Sequence, residues 1–266
     1  MSDVVIATNQ DDAIAAERVE QHHAEMAGAL DTLVRRVMAD AASRSDDDSA
    51  RMRLADWCRT ELLPHAAAEE TTLYAAARDL DRTRLLVEAM TEEHRVIAGL
   101  VAELEQAPDA VRAAASARAL QVLFETHLAK ENDRILPALV SSPDTSVAQL
   151  LSGMHEILGG GEHHTADDHA PHTVSSSHGE HGCGCGHAET DELPELDARA
   201  VPHAIRHATI FGALEAVSPG GGMVLIAPHD PVPLLTQLEE RSPGRFAISY
   251  IEQGPQTWRL RFTRRG

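Results

Sequence analysis

From about residue 11 to residue 157, apolar side chains recur every three or four positions, the spacing of a helix with one buried face. Polar breaks near Ser43–Asp48, Asp79–Asp81 and Gln106–Asp109 divide this stretch into helices at about 11–42, 48–78, 82–106 and 109–139. Connections this short set neighbours antiparallel and predict an all-α, up-down-up-down four-helix bundle. A shorter helix is expected at about 144–157. After residue 193 the period changes. Leu196-Asp-Ala opens a strand, and 202–217 reads as a helix with Ile205, Ile210, Phe211, Leu214 and Val217 on its apolar face. Ser218-Pro-Gly-Gly-Gly222 is a turn, and Met223–Ala227 is an unbroken apolar run, hence a buried strand. Residues 231–241 form a second helix with Leu234, Leu235 and Leu238 inward. Residues 245–252 and 257–263 alternate as strands about a Gly-Pro turn. The order β-α-β-α-β-β predicts a small α+β two-layer sandwich with both helices on one face.

Between these regions the pattern disappears. Residues 159–192 are mostly Gly, His, Ser and Asp with hardly any aliphatic side chain. Such a segment buries too little apolar surface to offset its ordering entropy and is expected to be a disordered linker. The chain therefore divides into a bundle at 1–158, a linker at 159–192 and a sandwich at 193–266.

Composition narrows the function classes. The chain has 266 residues, 43% of them hydrophobic, and a formal net charge of −19. So acidic a field opposes general attraction to nucleic acid or anionic membrane. No apolar run approaches the roughly 20 residues of a bilayer span, and residues 1–20, acidic and without a basic-then-apolar pattern, are not expected to act as a secretion signal. Three cysteines, Cys58, Cys183 and Cys185, make no disulfide framework, so a cytoplasmic protein is expected.

The helical seams carry the chemistry. They run Val19, His23, Met26, Leu30, Leu33, Val37; Ala55, Cys58, Leu62, His65, Glu69, Leu73; Val87, Met90, His94, Ile97, Val101, Leu104; and Leu120, Phe124, His127, Glu131, Ile135, Ala138. Each helix points one His at the bundle axis, and the second and fourth add a Glu one turn on. Unpartnered, buried carboxylates and imidazoles would cost several kcal/mol per group. A cation is the partner expected: four imidazoles and two carboxylates suit iron, manganese or zinc. Two bridging carboxylates with two imidazoles per metal would hold a pair of ions. A hydrogen-bonded Glu–His network without metal is the alternative. His22 lies off the seam, where it could exchange roles with His23. Glu70, Glu92 and Glu93 are expected in solvent or as outer acceptors for ligating histidines, and Tyr74 and Trp57 as core.

The run His23, His65-Ala-Ala-Ala-Glu69-Glu70, Glu93-His94 and His127-Leu-Ala-Lys-Glu131-Asn132 resembles the hemerythrin-like, or HHE cation-binding, family over about 10–157. The resemblance implies a non-heme di-iron centre that meets O2, NO or redox change. His23, His65, His94 and His127 would be terminal ligands and Glu69 and Glu131 bridges. Oxygen-carrying members place a second His four residues along the third helix, where this chain has Ala98. They also end on an Asp five residues after the last His, whereas Glu131 comes four after. One imidazole fewer implies a more open, exchangeable site, suited to sensing, protection against reactive oxygen or nitrogen species, or iron handling.

The C-terminal region resembles a bacterial domain family of unassigned function related to the TusA-like sulfur carriers. The features are Leu196-Asp197-Ala198-Arg199, a helix opening at Pro202, Ser218-Pro219-Gly220 before a strand, and His229-Asp230-Pro231. Those carriers place a reactive Cys directly before the helix-opening Pro; here that residue is Val201, so sulfur transfer is not expected. Asp197, Arg199, His203, His207, His229 and Asp230 could line a pocket or a docking face; equally, Asp230 could cap a helix and His229 belong to a loop. In the linker, Cys183-Gly-Cys185-Gly-His187 and the neighbouring histidines (His163, His164, His169, His172, His178, His181) are a weak candidate for metal or redox chemistry. The expected function is a di-iron sensor of O2, NO or peroxide whose C-terminal domain reports to a protein partner. The alternatives are a peroxide- or NO-consuming oxidoreductase and a metal store or delivery protein.

Overall fold

A computed structural model describes residues 10–44, 47–157, 193–201 and 205–266. Helix α1 is Gln10–Ser43. Helix α2 spans 49–78 as Ser49–Trp57, a wider π turn at Cys58–Leu62, then Leu63–Thr71 and Leu73–Arg78 about a bend at Thr72. Helix α3 is Arg84–Glu105. Helix α4 spans 110–140 as Ala110–Lys130, a π turn at Glu131–Ile135, and Leu136–Val140. Helix α5 is Val147–Ile157.

The two π turns share a cause. Each ends two residues before a proline, Pro64 or Pro137. A proline has no N–H to donate, and its ring collides with the carbonyl four residues back. The turn widens instead: the Leu63 N–H bonds to the Cys58 carbonyl and the Leu136 N–H to the Glu131 carbonyl, each five residues back. Asp109 caps α4 by accepting the Arg112 N–H at 2.8 Å. Buried Asp12 accepts from the Ser146 hydroxyl at 2.9 Å and the Ala148 N–H at 3.0 Å, tying the start of α1 to the start of α5.

The bundle core is two dry layers. One packs Met26, Leu30, Leu54, Leu62, Ile97 and Phe124; the other packs Val19, Leu73, Val87, Met90, Ile135 and Leu139. Each helix passes from one layer to the other through its seam histidine, α1 and α3 in one direction, α2 and α4 in the other. That is the antiparallel arrangement the seams predict.

In the C-terminal region β1 (Glu195–Asp197), α6 (Arg206–Glu215), β2 (Gly222–Ala227), α7 (Val232–Arg241), β3 (Phe246–Gln253) and β4 (Trp258–Arg264) follow in the predicted order. The sheet order is β1-β2-β4-β3, with β1 parallel to β2 and β4 antiparallel to both its neighbours. Ile210, Phe211, Leu214, Leu234 and Leu238 of the two helices share one core with Leu196, Met223, Leu225, Leu260 and Phe262 of the sheet. The described part of α6 begins at Arg206; the expected opening at Pro202 lies outside the described residues.

The sandwich is seated on the bundle, which the sequence did not suggest. Helix α6 crosses α1 so closely that a Cβ on Gly28 would stand 2.0 Å from the Thr209 carbonyl oxygen, and one on Gly212 would stand 1.9 Å from that of Glu25. Only glycine fits at either position. Beside the crossing, Arg241 donates to Glu25 at 3.3 Å and lies 4.5 Å over the Phe211 ring. Among the described residues no helix is long and apolar enough to cross a membrane.

Candidate metal centre

Between the two dry layers the structure brings together all six seam donors. His23, His65, His94, His127, Glu69 and Glu131 are buried, none more than 6% exposed. Glu69 Oε1 lies 3.2 Å from His23 Nε2 and 3.0 Å from His65 Nε2, while its Oε2 lies 3.8 Å from His94 Nε2. Glu131 Oε1 lies 3.4 Å from His127 Nε2, while its Oε2 lies 3.7 Å from His23 Nε2. Each carboxylate therefore turns one oxygen to each half of the site. The donors form two groups sharing Glu69: His23, His65 and Glu69, and Glu69, His94, His127 and Glu131.

Three imidazoles are oriented from behind. His23 Nδ1 donates to Asn132 Oδ1 at 2.8 Å, His94 Nδ1 to Glu70 Oε1 at 2.9 Å, and His127 Nδ1 to Glu93 Oε2 at 2.9 Å. These acceptors repeat by position. Asn132 follows Glu131 as Glu70 follows Glu69, and Glu93 precedes His94 as His22 precedes His23. The fourth place breaks the repeat. His22 meets His65 edge-on, ring centroids 5.0 Å apart, and offers no carboxylate. Both ring nitrogens of His65 are buried without a hydrogen bond; its 3.0 Å approach to Glu69 is poorly aligned.

The charges are strongly coupled. Burial alone would lower the His23 imidazolium, but the Glu69 hydrogen bond and the Glu131 charge outweigh it and raise its pKa to about 9. Burial would raise the Glu69 carboxyl, yet the charge of His65 and the bond from His23 hold it well below the ordinary carboxylate value. His127 is raised by Glu131 and Glu93 against the opposing effect of burial. Glu93 is lowered by Lys130 and His127, again against burial.

The donor set fits a pair of cations. His94 and His127 spend their Nδ1 protons on carboxylates, so their Nε2 lone pairs face each other at 3.0 Å. That contact needs a proton or cation between the nitrogens. Two nitrogens about 2.1 Å from one first-row metal, at right angles, would stand about 3.0 Å apart. Glu131 Oε2 and both His65 nitrogens are buried polar atoms without a hydrogen-bond partner, a costly arrangement that coordination would relieve.

Tyr74, expected as core, belongs to the site. Its hydroxyl donates to Glu131 Oε1 at 2.5 Å and lies 2.9 Å from His127 Nε2. Its ring stacks on His94 at 5.2 Å, tilted by 7°. Burial first, then the charges of Glu131 and Glu69, push the phenol pKa far up, so it stays protonated. Asn132 was missed as well; its place beside Glu131 in the ligand motif was the available signal. Glu92 remains on the surface, paired with Arg95. Ala98 is exposed, off the seam.

The C-terminal candidates separate. His207 and His229 line a cavity of about 450 Å3 with Arg206 and Leu234. Asp197 pairs with Arg199 at 2.7 Å. Asp230 accepts the Tyr250 hydroxyl at 3.0 Å rather than capping α7, which has no side-chain cap. His203, Cys183, Cys185, His187 and the other linker histidines lie outside the described residues.

Comparison with known families finds two matches. Residues 15–139 match the family described as Hemerythrin HHE cation binding domain, and residues 195–264 match that described as Uncharacterized conserved protein (DUF2249). No curated protein and no solved structure matches the chain.

Proposed function

Because the chain joins a hemerythrin HHE cation-binding domain to a DUF2249 domain, we propose that its bundle holds two iron ions and uses them to sense O2, NO or peroxide. His23 and His65 would hold one ion and His94 and His127 the other, and Glu69 and Glu131 would supply carboxylate oxygens to both. The observation that carries this reading is the placement of the two carboxylates, each with one oxygen toward either half of the site. Iron in such a site supplies redox change and open positions for a small ligand. The protein's own part is to fix imidazole orientation through Asn132, Glu70 and Glu93, to keep Glu131 bonded to a protonated Tyr74, and to exclude water with two apolar layers. The seating of the sandwich on α1, the helix that carries His23, supports a reporting role for the C-terminal domain.

Metal analysis of untagged protein tests the reading. About two irons per chain with near-ultraviolet ferric absorption are expected, and an empty protein refutes it. Turnover is the second reading, favoured because four imidazoles and two carboxylates shared between two ions would leave room for a small ligand to bind. Catalytic consumption of peroxide or NO, lost in Glu69→Ala, would establish an oxidoreductase; a spectral change without turnover supports the sensor.

A further inference from the structure

Where α6 crosses the bundle, it closes one side of a cleft of about 870 Å3. His22 and Glu25 of α1, Glu61 and His65 of α2, and Glu215 of α6 line it, and no Lys or Arg is among its lining residues. We propose that this cleft is a cation-binding vestibule that loads the metal pair, drawing a divalent first-row cation in by Glu25, Glu61 and Glu215 and passing it to His65. The inference rests on the metal-pair reading above and adds the path to it.

Two independent observations meet here. The first is charge. Three carboxylates contributed by three helices surround one partly enclosed space, and walls of low dielectric focus their field. Like charges gathered in that space repel one another, and a cation among them relieves the repulsion. The second is His65, which lines the cleft, is 2% exposed, and has no hydrogen bond at either ring nitrogen. The other three histidines are held from behind by Asn132, Glu70 and Glu93. His65 is thus the donor that an arriving cation meets first and the one least committed elsewhere. Because α6 supplies Glu215 and a wall of the cleft, the vestibule exists only while the sandwich is seated on α1.

The test follows uptake of cobaltous ion by the full-length metal-free chain in stopped flow, with final ion content measured separately. Combining Glu61→Gln with Glu215→Gln should slow uptake about tenfold, within the range of electrostatic steering, while the number of ions finally bound stays the same. A charge-matched pair outside the cleft, Glu88→Gln with Glu240→Gln, should keep the wild-type rate. Equal rates in the two double variants overturn the vestibule. Raising ionic strength should slow wild-type uptake, a second arm that needs no variant; an insensitive rate overturns the proposal too. A wild-type chain that binds no cation at all refutes the metal pair itself, a different result from normal binding at an unaltered rate.

Discussion

Replacing His65 by Leu separates a site built for metal from a polar network built for stability. In the metal-free chain His65 keeps two ring nitrogens buried without hydrogen bonds, and each such group costs about 1–3 kcal/mol. Leucine removes that cost and buries an apolar side chain, a gain of about 1.5–3 kcal/mol. Against it stand the altered shape, about 1–3 kcal/mol, and the loss of the ring 3.0 Å from Glu69, a carboxylate that keeps its bond from His23 at 3.2 Å. The balance predicts a metal-free variant about 1–2 kcal/mol more stable than wild type. With metal the order reverses. At a concentration a thousand times Kd, one bound ion stabilises the native chain by about 4 kcal/mol, and the variant forfeits the ion of the His23–His65 half. Urea unfolding with chelator and with excess metal, paired with ion counting, measures both quantities. A variant weakened by 2 kcal/mol or more without metal, yet with wild-type ion content and metal stabilisation, would show that His65 is a structural residue and refute the reasoning.

Three further outcomes follow from the same geometry. Tyr74→Phe removes the hydroxyl that Glu131 and His127 share but keeps the ring on His94, so the metal-free chain should lose about 2 kcal/mol, the scale of a hydrogen bond to a charged group; unchanged urea unfolding would contradict this. His22→Glu supplies the acceptor that His65 lacks and should slow metal release from that half roughly 10–100-fold in chelator competition; an unaltered rate would dismiss the positional repeat. Burial, aided by Glu105, pushes the Cys58 thiol up to about 12, so little thiolate exists at pH 8, and a thiol reagent should modify Cys58 only in denaturant. Peptide mapping that finds Cys58 labelled in the native chain would overturn that expectation.

The donor ring was legible because a helix seam is a local pattern. Once four seams each carry a His at mid-length, antiparallel packing brings those residues to one level, and the helices at 10–43, 49–78, 84–105 and 110–140 lie where the seams put them. What periodicity reveals is which face a residue takes, not where its far end reaches. Tyr74 sits on a buried face as any core aromatic would; only the path of α2 after the bend at Thr72 carries its hydroxyl to Glu131. The prolines were visible, but the π turns they provoke are a compromise between a missing donor and continued packing, with no residue signature of their own. The docking of α6 on α1 was the least legible feature. Gly28 and Gly212 each read as a mild weakness in a helix, and nothing local couples two positions so far apart.

The positional repeat explains why the two halves of the centre differ. Donors recur in the same order along α1–α2 and α3–α4, and outer acceptors recur at matching offsets in three places out of four. The half held by His94 and His127 is closed: Glu70 and Glu93 fix both rings, Lys130 anchors Glu93, and Tyr74 packs on one ring and bonds beside the other. The half held by His23 and His65 has one ring fixed and one without a hydrogen bond, and a cleft runs beside it. Outer hydrogen bonds stiffen a ligand and raise its basicity, so if the proposed metal pair is bound, exchange is expected on the side where one ring lacks them. The second domain stands at this looser half. Its helix walls the cleft and meets α1 at Glu25, two residues from His23, so a change in how His23 is held reaches α6 across a single helical turn.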